Sequence, residues 1–180
     1  MKNVILTTII VAVATGSVFA QSTIHFDGST AHVYGPNGIT PLGAGGFGQL
    51  LGAPGANAPE SSLMPAMNGP STFSGGQIPS FNALFSNIAP DAAFASFEMV
   101  AWDNSSGLYP TWAQASVAWE NHVIAAGRSP EVTIANLASI PPPVLFPTPV
   151  SFKIDFIPEP SAAVLLGLGA AALLYVGRRK

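Results

Sequence analysis

The chain has 180 residues, no cysteine, and charged side chains at only 8% of positions, against about 25% in an average soluble domain. With residues 1–20 and 161–180 set aside, Arg128 and Lys153 are the only strong bases left beside nine carboxylates. That balance argues against a nucleic-acid partner, because neutralising phosphates takes clustered Lys and Arg, and the missing cysteines mean an exported domain must hold together by its core alone.

Met1 to Ala20 reads as a secretory signal peptide: Lys2 is the positive start, Val4 to Ala14 the apolar segment, and Val18-Phe19-Ala20 a small-residue cleavage pattern. Cleavage between Ala20 and Gln21 makes Gln21 the first mature residue and implies signal peptidase and the secretion machinery as transient partners. Thr23–Phe26 and Ala31–Tyr34 are two short strand candidates, and Asp27-Gly28-Ser29 between them predicts a hairpin. Tyr34 to Gly38 is a second turn, and Gly43 to Gly46 leads into a strand at Phe47–Leu51. Those glycines are no phosphate cradle, since no Lys-Ser/Thr and no helix follow them. Residues 52–79 are dominated by Pro, Gly, Ala, Asn and Ser, with short strands expected near Leu63 and Phe73.

Asp91 to Trp102 is the clearest strand. Ala93, Ala95, Phe97, Met99 and Ala101 share one face, and Phe94, Ser96, Glu98, Val100 and Trp102 the other. Two largely apolar faces place it centrally in a sheet, with Glu98 near an edge of the core. Asp103 to Gly107 forms a turn. Thr111–Ala126 is the one internal helix expected, with Trp112, Ala115, Trp119 and Val123 at helical spacing, Pro110 at its entry and Gly127 past its end. Glu131–Leu137 and Val150–Ile157 are the last strands, joined by a proline-rich extended linker over 140–149. In the final strand Phe152, Ile154 and Phe156 are expected to face inward, with Lys153 and Asp155 outward.

The tail has three parts in strict order: Pro158-Glu159-Pro160, an uncharged apolar run from Ser161 to Val176, and Gly177-Arg178-Arg179-Lys180. The two prolines forbid a helix and expose a stiff tripeptide. The apolar run, as a helix rising about 1.5 Å per residue, spans roughly 24 Å and reads as a short transmembrane helix. Arg178, Arg179 and Lys180 act as a membrane stop, since each basic side chain at a bilayer centre costs about 3 kcal/mol.

This tail closely resembles the PEP-CTERM sorting signal of Gram-negative bacteria. The resemblance implies processing by an exosortase, a membrane cysteine protease-transpeptidase that acts around Pro158, Glu159 and Pro160. It implies a protein anchored in the inner membrane by its C-terminal helix before processing, then placed on the outer surface or in the extracellular matrix, with exopolysaccharide as a possible neighbour. The middle of the chain also resembles the β-rich domain of small PEP-CTERM proteins, through Gly48-Gln49-Leu50-Leu51-Gly52, Ala101-Trp102-Asp103, the aromatic helix and Ala126-Gly127-Arg128-Ser129. That likeness implies a β-sandwich and no known activity. The expected organisation is a signal segment at 1–20, a mainly β, antiparallel sandwich-like domain with one short helix at 21–157, and a sorting signal at 158–180 whose transmembrane helix is 161–176.

Residues that carry chemistry are few. His25, Asp27 and His32 lie close together on the expected hairpin and could ligate zinc, but they read as polar residues of an exposed hairpin. Glu120-Asn121-His122 lacks the second histidine of a metalloprotease helix, and there is no Gly-x-Ser-x-Gly elbow or cysteine nucleophile. Asp91, Glu98, Asp103 and Glu120 supply carboxylates whose spacing predicts no pair. The expectation is a non-enzymatic protein without catalytic residues, metal or cofactor. The alternative is a carbohydrate-binding module that stacks sugars on exposed Trp102, Trp112, Trp119 or Tyr109.

Overall fold

The computed structural model describes residues 22–29, 31–137, 144–145 and 151–158. The signal segment with Ala20 and Gln21, the residues Glu159 and Pro160, the apolar run 161–176 and the basic end Arg178, Arg179 and Lys180 lie outside the described residues.

The described residues are mainly β with one short helix. Its strands are β1 (Ser22–Phe26), β2 (Val33–Tyr34), β3 (Gly46–Pro54), β4 (Met64–Pro65), β5 (Ser71–Thr72), β6 (Phe81–Phe85), β7 (Phe94–Asp103), β8 (Ala126–Arg128), β9 (Val132–Ala135), β10 (Val144–Leu145) and β11 (Phe152–Lys153). Helix α1 (Trp112–Glu120) lies between β7 and β8, and a 3-10 turn covers Glu60–Ser62.

As its two apolar faces require, β7 is central, with every residue from Ala95 to Trp102 buried. It pairs antiparallel with β3 along its full length, from Gly46↔Asp103 to Pro54↔Ala95. Its other edge takes β8 opposite Val100–Trp102 and β9 opposite Phe94–Phe97. The outer edge of β3 takes β4 and β5, which supply the short strands expected near Leu63 and Phe73. A second sheet has the order β10-β1-β6, and β2 pairs with β11 in a third.

Alternation along β7 assigns its side chains to two cores. Ala95, Phe97, Met99 and Ala101 meet Ile24 and Phe26 of β1, Ala83 and Phe85 of β6, and Phe73, Ile134 and Ile154. This is the sandwich-like core between the two larger sheets. Val100 and Trp102 point the other way, into a second core with Leu51 and the helix residues Trp112, Ala115 and Ala118. The central sheet therefore lies between a sheet and a helix.

Several sequence expectations change. β1 and β2 form no hairpin: β1 pairs antiparallel with β6 and parallel with β10, while β2 pairs parallel with β11. The turn chemistry at Asp27 is present, since its Oδ1 accepts from the Ser29 amide at 3.0 Å, but it redirects the chain between sheets. β6 was not anticipated, although Phe81, Ala83 and Phe85 alternate inward. β10 falls inside the proline-rich linker and is an edge strand. Helix α1 ends at Glu120, six residues short of the expected Ala126, and Ala126 and Gly127 belong to β8. Asn121 caps the helix, its side-chain amide donating to the Val117 carbonyl at 2.8 Å, and His122 turns the chain out with φ 59°. At its start, Thr111 is the N-cap, its hydroxyl accepting from the Gln114 amide. Phe156, expected inward, is exposed, whereas Ile154 is buried.

The sandwich-like core leaves no room at Gly52. A Cβ there would stand 2.8 Å from Phe97 Cδ1 and 2.9 Å from Phe85 Cε1. Gly52→Ala is expected to lower the free energy of unfolding by about 2 kcal/mol through overpacking. Urea denaturation followed by tryptophan fluorescence measures this, and an unchanged midpoint would contradict the packing.

Candidate functional site

Two features converge where the chain approaches Pro158: a cationic clamp on the helix side of the central sheet, and the fastening of the last described residues.

The clamp is built on Arg128. Strand β8 sets Arg128 opposite Val100, on the face that carries Glu98. Its guanidinium pairs with Glu98, Nη1 to Oε1 at 3.4 Å, and with Glu60 of the 3-10 turn through Nη2. It also lies over two indole rings, 5.1 Å from the Trp112 centroid and 6.0 Å from that of Trp119, an arrangement that favours a cation. Glu98 is buried, where a lone carboxylate is costly. Burial pushes its carboxyl above the ordinary range, and Arg128 pulls it back down. The carboxylates and rings around Arg128 all belong to the domain. The cluster therefore ties the 55–62 strap and α1 to the sheet.

The fastening begins at β11. Phe152 N donates to His32 O at 3.2 Å and Ile154 N to Tyr34 O at 2.9 Å. Asp155 then exchanges both backbone hydrogen bonds with Ala126, at 2.9 and 3.1 Å. Its carbonyl also accepts from Trp119 Nε1 at 2.8 Å. His122 Nδ1 lies 2.6 Å from the carbonyl oxygen of Ile157. A carbonyl only accepts, so Nδ1 carries the proton. Lys153 and Asp155 form an exposed ion pair at 2.7 Å, and the hydrogen bond from Lys153 holds the Asp155 carboxyl below its ordinary range. The chain is thus held to the domain up to Ile157, and Pro158 is exposed.

Other sequence candidates are dispersed or occupied. His25 Nδ1 meets Asn82 Oδ1 at 2.9 Å, and His32 stacks on Tyr34. Asp27 accepts from the Ser29 and Ser80 hydroxyls, which, with the Ser29 amide, hold its carboxyl below the ordinary range. Among the described residues no three metal-binding side chains come together. Asp91 and Glu120 are exposed, Asp103 caps its own turn through the Ser105 amide, and Glu98 is held by Arg128. The proposed sugar-stacking rings mostly face protein: Trp102 and Trp112 are buried, while Trp119 and Tyr109 are half-buried. Phe47, Trp102, Trp112 and Trp119 form a continuous run of contacts, with centroids 5.8, 5.6 and 6.2 Å apart in that order. Trp102 Nε1 donates to the Tyr109 carbonyl at 2.8 Å. The clamp role of Arg128 was missed from sequence; its one signal was that few other bases exist between the two ends.

No family model, curated protein or solved structure matches the chain. Among the described residues no helix is long and apolar enough to cross a membrane.

Removing Arg128 leaves Glu98 buried beside no cation. Arg128→Ala is expected to destabilise the fold by about 3 kcal/mol at neutral pH. Glu98 is raised in the folded state, so its contribution to stability grows as pH falls from the folded value toward the ordinary glutamate value. Without Arg128 that interval widens, so the variant's deficit should shrink on acidification, and Glu98→Gln in the same background should remove the pH dependence. Urea titrations at several pH values check this. A deficit independent of pH would contradict the pairing.

Proposed function

We propose that this chain is an exported, non-enzymatic protein whose C-terminal sorting signal is processed by an exosortase. In this reading residues 1–20 direct secretion and are removed before Gln21. Residues 161–176 form a transmembrane helix that anchors the protein in the inner membrane, and Arg178, Arg179 and Lys180 stop transfer. Processing around Pro158, Glu159 and Pro160 then leaves the β-rich domain on the outer surface or in the extracellular matrix.

The observation that carries the reading is the order of the tail, a proline-flanked glutamate, an uncharged apolar run and a basic end. The structure adds a compatible feature, a chain fastened to the domain up to Ile157 and exposed at Pro158. A stiff extended motif directly after a fixed edge is an accessible substrate for a protease.

Intact-mass measurement on cell fractions from strains with and without the exosortase tests the proposal. The expected outcome is loss of both ends and export when the enzyme is present, and an exported protein that keeps its tail in the membrane when it is absent. Glu159→Ala is expected to block tail removal while leaving export intact. The same full-length mass in the cytosol of both strains would overturn the reading.

A further inference from the structure

We propose that, while the tail is attached, the face of the domain around the chain exit rests on the lipid surface of the membrane. This inference depends on the reading of residues 161–176 as a transmembrane helix.

Three large apolar side chains are exposed on this face: Leu108 at 68%, Val123 at 58% and Phe156 at 48%. Together with Tyr109, Ile124 and Asp103 they line one cleft of about 270 Å³. Leu108 comes from the turn after β7, Val123 from the segment between α1 and β8, and Phe156 from the last stretch of chain. Three separate segments bring apolar side chains to one place and leave them uncovered.

The occupant follows from the distance to the apolar run. Pro158 is two residues beyond Phe156, and Ser161 is three beyond Pro158. At no more than about 3.5 Å per residue, the membrane segment starts within about 10 Å of Pro158. The headgroup layer on one side of a bilayer is itself roughly 5–8 Å thick. Only residues 158–160 separate the fastened chain from the apolar run, because Asp155 and Ile157 are bonded to Ala126, Trp119 and His122. A domain fastened this close to the bilayer presents its exit face at headgroup depth, where aliphatic and aromatic side chains beside the half-buried Tyr109 fit the boundary between headgroups and acyl chains.

The cysteine-free chain permits a clean test. Leu108→Cys, Val123→Cys and Phe94→Cys are made singly in the full chain and labelled with an environment-sensitive NBD dye. Each protein is reconstituted into phosphatidylcholine vesicles with or without spin-labelled lipid. Phe94 is the control: it is 49% exposed and sits at the opposite end of β7 from Asp103, about 30 Å away at 3.3 Å per residue. The expected result is blue-shifted emission and about threefold stronger lipid quenching at positions 108 and 123 than at 94. If the protein floats with the vesicles but all three dyes report water, the docking is overturned and the membrane helix stands. If the dyes at 108 and 123 are shielded but unquenched by lipid, the face is covered by protein, a second copy or a processing enzyme, and the docking is again overturned. If the protein does not float at all, the membrane helix fails and the docking with it.

Discussion

A strand buried on both faces has to be covered twice. That requirement governs this fold. Ala95 to Trp102 of β7 leave no residue for water, so one face closes against β1 and β6, and the other against α1 and the strap of residues 55–62. The strap carries two polar groups into this covering. The Ala58 amide donates to Ser96 Oγ at 3.0 Å, and Glu60 reaches Arg128. Polar positions on the second face of β7 are thus satisfied, Ser96 by the strap and Glu98 by Arg128 of the neighbouring β8, as burial demands.

The same layer receives the end of the chain. Trp119 of α1 touches Trp112 with one ring face and donates its Nε1–H to Asp155, so the helix that covers β7 also holds the C-terminal segment. Gly127 serves both neighbours as well: a Cβ there would lie 2.5 Å from the Lys153 carbonyl oxygen, and only a glycine in β8 lets the last strand approach. Core, helix and terminal segment form one connected unit, and the exit at Pro158 is a fixed point on its surface. For a protein proposed to be cut just beyond that point, the described chain is fastened up to Ile157 and exposed at Pro158.

The local features of this fold were legible where a signal was continuous. β7 was visible because apolar side chains fill both faces, and β9 and the 103–107 turn fell within their expected ranges. The limits of α1 were not, because Trp112, Ala115, Trp119 and Val123 keep helical spacing across a true terminus. What stops the helix is the Asn121 side chain and the left-handed His122, neither of which interrupts that pattern. The β1–β2 hairpin failed for a different reason. A turn sequence reports a reversal, while partner choice is set by distant residues, here Phe81–Phe85 and Phe152–Lys153. The same non-local placement hid the Arg128 clamp, which needs β8, α1 and the strap in position before its four partners meet. The proposed sorting motif, by contrast, rests on a linear pattern of residues and not on the fold.

The claim that joins fold to function is that the chain is held as firmly near its exit as in its core. Native-state hydrogen exchange read by mass spectrometry on peptides from 94–103 and 152–157 tests it most directly. The account expects the amides of Ile154 and Asp155 to exchange within about tenfold of those in β7, opening only with the whole domain. Exchange of residues 152–157 at the rate of the exposed 105–107 turn, with β7 still protected, would contradict it.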